Sequence, residues 1–434
     1  MKESMPRASL DLSVTPSTLS SGWSHRVFPR NSKPASGFLL TCAGFLVIAA
    51  DSVYTFGRSP TKALAFLLPA ILLGMAGISR TRGEAPVHPG PRRSIRVLWV
   101  ILAALAAFHC VLAVPLCQQA DTHIDTYTFL RDSCKTLLAG ADPYGGTQAD
   151  IYGPPQNREF YGPGMVTNGR VKLGFPYPPL QLLWGLTGYL LGDVRFSYIL
   201  AVVLAACFLF SANPGVRSLW VAGVLLLNPL TFYVEDRCWN EPLVLLALCA
   251  ALYTARRHPA WLPLALGLFL AAKQYNIVAL PFLGCLLGSH RPFSRPYWRL
   301  LGLSCAVAAL TLLPFALWNL HGFWRDLVLF NLQHPFRRDT LTFAARLPFL
   351  LHLRAVLVIL FLVWAVRVCK PIPAMFVAGY ALALTVLVST DMAFANYYFL
   401  IAQALLVSVT VPPEIPYWQP MAPKDPEQVQ AVVL

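Results

Sequence analysis

Apolar stretches close to the length of a bilayer crossing recur along almost the whole chain, with short basic segments between them. A helix in lipid needs about 20 apolar residues, and it must satisfy its own backbone N–H and C=O groups. Residues 38–56, 61–79, 97–116, 194–211, 218–234, 299–319, 348–367, 372–390 and 394–411 read this way. Shorter apolar segments at 241–255, 261–272 and 275–289 complete the series. Of 434 residues, 56% are hydrophobic and only 12% charged. A soluble domain carries about 25% charged residues, so this chain could not cover its surface in water. It is expected to be an all-α polytopic membrane protein. The net charge of +14 is not a nucleic-acid footprint, because the basic residues fall between apolar runs and not on one polar face. It fits membrane topology and anionic lipid headgroups, so membrane lipids are expected partners and nucleic acid is not.

The basic segments fix an expected direction for each span. Residues 1–37 are polar, basic and rich in Ser and Pro, with no cleavable signal peptide, and read as a disordered cytoplasmic tail. Residues 38–96 contain two spans and the strongly basic loop SRTRGEAPVHPGPRRSIR, which the positive-inside rule also places in the cytoplasm. The third span then exits on the outer face. Residues 177–191 are apolar but too short to cross, and two prolines stand at their start. Were they to cross, every later basic segment would lie on the wrong side. An interfacial or re-entrant helix there leaves Arg256, Arg257, the 290–299 segment, Arg367 and Lys370 inside. The expectation is about 12 transmembrane helices with both termini cytoplasmic, in a plasma (inner) membrane. The C-terminal tail is 412–434.

One long polar interruption, residues 118–193, stands outside on this topology. It opens with Asp121 and Asp125, one helical turn apart, passes through ADPYGG and ends in FPYPPL. Carboxylates at the water–lipid boundary, partly desolvated, are general-base candidates, because burial raises a carboxyl pKa toward working pH. Ordinary helix-capping acids at a helix starting near Thr126 are the alternative. Outside arginines are not required by topology, and Arg131, Arg158, Arg170, Arg237, Arg325, Arg337, Arg338 and Arg346 all fall there. An anionic, phosphorylated, lipid-linked ligand would explain them; headgroup contact or solvation is the plain alternative. Arg337 and Arg338 stand in QHPFRRDT beside His334, and Lys273 lies close to membrane depth, where it needs an anion or must snorkel. Tyr144, Tyr177 and Trp239 could stack on sugar faces or anchor at the interface, and Asn240 and Glu241 lie in the same outside set. The ten cysteines form no metal-ligand spacing, and a Cys117–Cys134 disulfide is left open.

An Asp after an outward span, a helix ending in LLAGADPY, FPYPPL leading an interfacial helix, and the segments AAKQYN and FANYYFL together carry a resemblance. Over residues 97–411 the chain resembles the C-type (GT-C) polyprenol-phosphate-dependent glycosyltransferases. Within them it is most similar to glycosyltransferase family 87, typified by bacterial alpha-mannosyltransferases. The resemblance implies a GT-C-like transmembrane catalytic domain at 97–411, with 118–193 as its outer catalytic loop. It maps the catalytic Asp onto Asp125, with Asp121 as the rival. It implies sugar transfer, mannose by family default, from a polyprenyl-phosphate donor to a hydroxyl of a lipid or glycan acceptor on the outer face. Arg337, Arg338, His334 and Lys273 would stabilise the leaving phosphate, and Tyr144, Tyr177, Trp239, Asn240 and Glu241 would meet sugar or acceptor. No metal or other cofactor is implied. The VEDRCWNEP segment departs from the Gly-Gln pair common in the family. A flippase or transporter of lipid-linked saccharides is the competing class.

Overall fold

The structure, a computed structural model, describes residues 36–80, 92–118, 122–287 and 294–411. Asp121, both tails and most of the first basic loop lie outside the described residues. The chain is predominantly helical. Among the described residues six helices are long and apolar enough to cross a membrane: α1 (Ser36–Thr55), α2 (Pro60–Ser79), α3 (Arg92–Gln118), α7 (Arg195–Ala212), α12 (Arg295–Trp318) and α15 (Leu350–Val368). A seventh is formed if α8 (Val216–Leu227) and α9 (Pro229–Asp236) count as one span bent by 48°. Helices α11 (Leu262–Ala272), α16 (Pro373–Ser389) and α17 (Ala395–Ser408) are apolar but shorter, and α10 (Glu241–Arg257) precedes α11. Side chains such as Leu310, Leu317, Ile359 and Leu360 stand well exposed on α12 and α15, as lipid-facing surfaces require.

The breaks between these helices have local causes. Asn228 precedes Pro229, and the residue before proline is pushed out of the helical region. It adopts φ −66° and ψ 126°, and its side chain accepts the Leu230 amide at 3.1 Å, ending one helix and capping the next. After α11 the chain turns extended at Lys273 (φ −159°, ψ 144°), with no proline behind it. The chain then continues as a 3-10 helix over Gln274–Leu287, with Pro281 inside it. Such helices rarely exceed a few residues, so this one is held by what surrounds it. Phe282 packs onto Gly379 of α16, where a Cβ would come within 2.5 Å of the ring. Glu241 stands in the first turn of α10, and Arg256 and Arg257 stand in its last, both matching the helix dipole.

Residues 122–193 form a folded cap, not an open loop. Helix α4 (Asp125–Leu138) lies on α6 (Pro179–Leu190), with Leu130 packed into Gly185. Helix α6 has only 12 residues and starts on Pro179. Between them lie α5 (Gln156–Tyr161) and a three-stranded antiparallel sheet of β1 (Gln148–Ala149), β2 (Val166–Thr167) and β3 (Arg170–Val171), ordered β1-β3-β2. Asn168 (φ 51°) and Gly169 (φ 69°) form the two-residue turn that pairs Val166 with Val171. The short α13 (Leu320–Trp324), a π-helical turn at Arg325–Leu329 and α14 (Phe330–Gln333) run continuously beside this cap. Cys117 and Cys134 are free and sit in different packing clusters, so the disulfide left open by the sequence is absent.

Candidate active site

Asp125 is the first residue of α4. The chain before it is pinned from two sides. Thr122 Oγ1 takes a hydrogen bond from Arg195 (2.8 Å), and Thr126 Oγ1 donates to the Arg237 carbonyl (2.8 Å). The Asp125 carboxylate accepts the Thr126 amide at 2.8 Å, and the Asp125 amide donates to the Tyr152 hydroxyl at 3.3 Å. Ile124, not Asp125, occupies the cap position. Burial pushes the Asp125 pKa above the ordinary carboxylate value. The Thr126 amide, the Arg337 guanidinium and Tyr152 pull part of that rise back. The result is a carboxylate held toward the range of a general base.

Arg337 reaches this carboxylate electrostatically from a segment more than 200 residues away in sequence, and several hydrogen bonds explain why it can. Tyr54, at the end of α1, donates to the Asp339 carbonyl (2.9 Å), and Thr340 Oγ1 donates to the Arg337 carbonyl (2.8 Å). Tyr398 donates to the Leu341 carbonyl, and the Leu341 amide donates to the Ala393 carbonyl at 3.0 Å. The Arg337 guanidinium makes a two-point pair with Asp339 (2.6 and 3.1 Å). It lies 3.9 Å from the ring centroid of Phe160 and 4.7 Å from that of Phe394. Contacts of this kind contribute on the order of 0.5–2 kcal/mol each and fix the guanidinium plane.

Tyr177 joins this pair to a second, deeper one. Its ring lies 4.8 Å from Lys273 Nζ, and Asp125, Glu241 and Tyr397 all act on its hydroxyl. Burial first, then the acidic neighbours Asp125 and Glu241 among others, raise its pKa, so it is a hydrogen-bond donor at any working pH. Lys273 pairs with Glu241 at 3.4 Å, and Tyr275 donates to the same carboxylate at 3.1 Å. Glu241 is fully buried, and its other oxygen has no partner among the described residues. The neighbouring Asn240 accepts from Tyr198 (2.9 Å), while its amide nitrogen is likewise unpartnered. At the base of the cap Asp125 bonds Tyr152, and Lys273 pairs with Glu241 and lies against Tyr177, while Arg337 and Tyr177 are linked to Asp125 by electrostatic influence and not by a hydrogen bond.

Asp326 holds the cap over the cluster. One oxygen of this fully buried carboxylate accepts the amides of Gly145 and Gly174, both at 2.8 Å. The other accepts from Arg325 at 2.7 Å. One side chain thus ties the ADPYGG turn and the approach to FPYPPL to the same helix. Gly174 must be glycine there, because a Cβ would lie 2.4 Å from the Asp326 carboxylate and 2.6 Å from the Pro143 carbonyl. Asn319 adds a second tie, donating to Asp142 at 2.7 Å.

Other expected site residues lie elsewhere or do other work. Tyr144 is 1% exposed, enclosed by Phe175, Phe315 and Phe323, and it donates to the Tyr177 carbonyl at 2.7 Å. It supports Tyr177 and offers no face to a sugar. Trp239 is half-buried against Tyr233, with ring centroids 5.5 Å apart. Arg338 is exposed, and His334 turns its Nδ1 to the Pro335 carbonyl at 3.0 Å. Several outer arginines have local partners and do not line one pocket: Arg131 pairs with Asp132, Arg237 with Asp236, and Arg170 bonds Thr147. Tyr152, Tyr161, Tyr397 and Asp326 were not anticipated. Among the described residues no three or more His, Cys, Asp or Glu side chains gather as metal ligands. Comparison with known protein families, with curated proteins and with solved structures returned no match for this chain.

Proposed function

We propose that the chain is a membrane glycosyltransferase acting at the outer face of a plasma membrane. On this reading it moves a sugar, mannose by the family resemblance, from a polyprenyl-phosphate donor to a hydroxyl of a lipid or glycan acceptor. The observation that carries the reading is the convergence of Asp125, Arg337, Tyr177 and Lys273 from four distant parts of the chain at the base of the cap. Asp125 would remove the acceptor hydroxyl proton as that oxygen attacks the anomeric carbon. The bond from that carbon to the phosphate oxygen breaks, its electron pair leaves with the polyprenyl phosphate, and the configuration inverts. The growing negative charge on the leaving phosphate would be met by Arg337 and Lys273, with Arg338 and His334 nearby in sequence. Binding such a phosphate would require Arg337 and Lys273 to share charge now given to Asp339 and Glu241.

The twelve-span topology is part of the proposal. Two sets of contacts among helix ends support it. Tyr54 and Phe56 at the end of α1 meet the Asp339 segment and Tyr233. At the opposite ends, Asn213 donates to the Thr410 carbonyl (2.7 Å), and Arg257 donates to the Ser211 carbonyl (3.3 Å). A second reading, transport of a lipid-linked saccharide, is favoured by one observation. His109 and Glu235 form a fully buried pair at 2.9 Å within the helical bundle, and ionisable groups at such depth commonly mark transport paths. The two readings separate in reconstituted lipid with a polyprenyl-phosphate sugar. A transferase releases polyprenyl phosphate, and Asp125→Asn stops release. A transporter moves the intact donor, and in that case no polyprenyl phosphate is formed.

A further inference from the structure

One buried ionisable pair inside the helical bundle takes no part in the chemistry proposed for Asp125. His109 of α3 and Glu235 of α9 are both fully buried, with Nε2 and Oε1 2.9 Å apart. The break between α8 and α9 settles which ring nitrogen carries a proton. Pro229 has no N–H, so the Leu225 carbonyl loses its helical donor and accepts from the Thr231 hydroxyl instead (2.7 Å). The Leu230 amide, which an unbroken helix would give to the Leu226 carbonyl, turns to the Asn228 side chain (3.1 Å). The Leu226 carbonyl is left to His109 Nδ1, 2.6 Å away. A carbonyl oxygen can only accept, so Nδ1 is a protonated nitrogen. Phe232, one turn before Glu235, packs on the imidazole with ring centroids 4.9 Å apart.

With Nδ1 committed, a single proton lies between Nε2 and Glu235. Removing it would leave a carboxylate facing a ring lone pair, and adding another would leave an imidazolium facing a neutral acid. Either state buries a charge with nothing to balance it. The second Glu235 oxygen has no hydrogen-bond partner among the described residues, which suits a carboxylic acid better than a carboxylate. The acid therefore donates to a neutral ring. A pair that passed protons along would have to stand empty once in every cycle, and this one has no stable empty state. What the pair does hold is α9, which it ties to α3 beyond the 48° bend. The residues from Asp236 onward then seat the cap. Asp236 accepts from Thr122 (3.3 Å) and Arg195 (3.4 Å), the Arg237 carbonyl accepts from Thr126 (2.8 Å), and Glu241 pairs with Lys273 (3.4 Å). Thr122 and Thr126 stand on either side of Asp125.

We propose that His109 and Glu235 are positioning residues: a neutral pair sharing one proton, which sets the bend of the α8–α9 span and through it the seat of Asp125. The inference rests on the proposed function only for what Asp125 does there. The test uses the full chain in lipid nanodiscs, labelled with nitrogen-15 histidine for NMR and followed separately by hydrogen exchange. The His109 signals, identified by their shift in Glu235→Gln, should report a protonated Nδ1 and an accepting Nε2, unchanged as bulk pH is varied. Exchange of peptides covering 122–130 and 234–242 should accelerate about tenfold in Glu235→Leu. It should stay as in the wild type in Glu235→Gln, whose amide donates to Nε2 in place of the acid. In the transfer assay kcat should fall in the leucine variant and hold in the glutamine one. A doubly protonated ring, or one that titrates with bulk pH, overturns the neutral pair and returns it to proton transport. Glu235→Gln as damaging as Glu235→Leu overturns it too, and unchanged exchange in Glu235→Leu removes the positioning role. Should the leucine variant not fold, the wild-type spectrum and Glu235→Gln decide. A wild-type chain with no transfer activity would refute the glycosyltransferase reading alone, since neither the spectrum nor the exchange depends on it.

Discussion

Removing the Asp326 carboxylate should free the cap from the helical bundle without unfolding the protein. In Asp326→Ala the amides of Gly145 and Gly174 both lose an ionised acceptor at 2.8 Å. Hydrogen bonds to charged groups contribute about 1.5–3 kcal/mol each, and water reaching a loosened cap returns part of that loss. The Arg325 pair adds little, because its guanidinium is 34% exposed. A net local loss of about 3 kcal/mol corresponds to roughly a hundredfold in an opening equilibrium. Hydrogen exchange of peptides covering 141–150 and 172–178 should therefore accelerate about a hundredfold, while α16 and α17 exchange as before. Asp326→Asn is the control. Its amide oxygen can still accept both glycine amides, but its NH2 then faces the Arg325 donor, so a loss of about 1–2 kcal/mol is expected. Unchanged exchange at both peptides in Asp326→Ala would show that something other than this carboxylate anchors the cap.

The remaining predictions concern the polar cluster. Breaking the buried Lys273–Glu241 pair with Lys273→Met should cost about 3–5 kcal/mol in unfolding free energy, and adding Glu241→Gln should restore part of it; a double-mutant cycle in detergent measures the coupling, and additive losses would argue against a paired site. Because burial raises the Asp125 pKa, the base form is lost on acidification at a higher pH than for an exposed carboxylate, and the acid limb of activity should lie accordingly. Arg337→Gln removes a charge that lowers this pKa, so the limb of the pH–rate profile should move to higher pH; a fixed limb would detach Arg337 from Asp125. The stability sign follows from the same shift: the fold favours protonated Asp125, so this contribution is present below the ordinary carboxylate pKa and is lost as pH rises through the folded value. Gly174→Ala should destabilise the cap much as Asp326→Ala does, read by the same exchange measurement.

What could be read from the sequence was set by local rules. The start and shortness of α6 were legible because a helix cannot be extended backwards through two prolines. The expected helix near Thr126 was legible too, and it starts at Asp125. Tyr144 was not, because its burial is made by Phe315 and Phe323, which nothing near ADPY announces. Glu235, in the VEDRCWNEP segment, is buried against His109, a partner more than a hundred residues away that nothing in that segment announces. The role of Asp326 depends on two backbone amides, and backbone donors leave no trace in a sequence. The Asn168–Gly169 hairpin, by contrast, carried its signal openly in VTNGRV, a recognised turn pair between alternating residues. The outer arginines suggested one cationic pocket, but several of them spend their charge on adjacent acids, which sequence proximity alone could have warned of.

The central claim is that Asp125 removes a proton from an acceptor that displaces polyprenyl phosphate at the outer face. Its most direct test uses purified chain in proteoliposomes of a single orientation, loaded with a polyprenyl-phosphate sugar and given acceptor on one side only. The account predicts release of polyprenyl phosphate and an inverted linkage only when acceptor faces the cap, with loss of at least about a thousandfold in Asp125→Asn. Release from the opposite side, or full activity in Asp125→Asn, would contradict it.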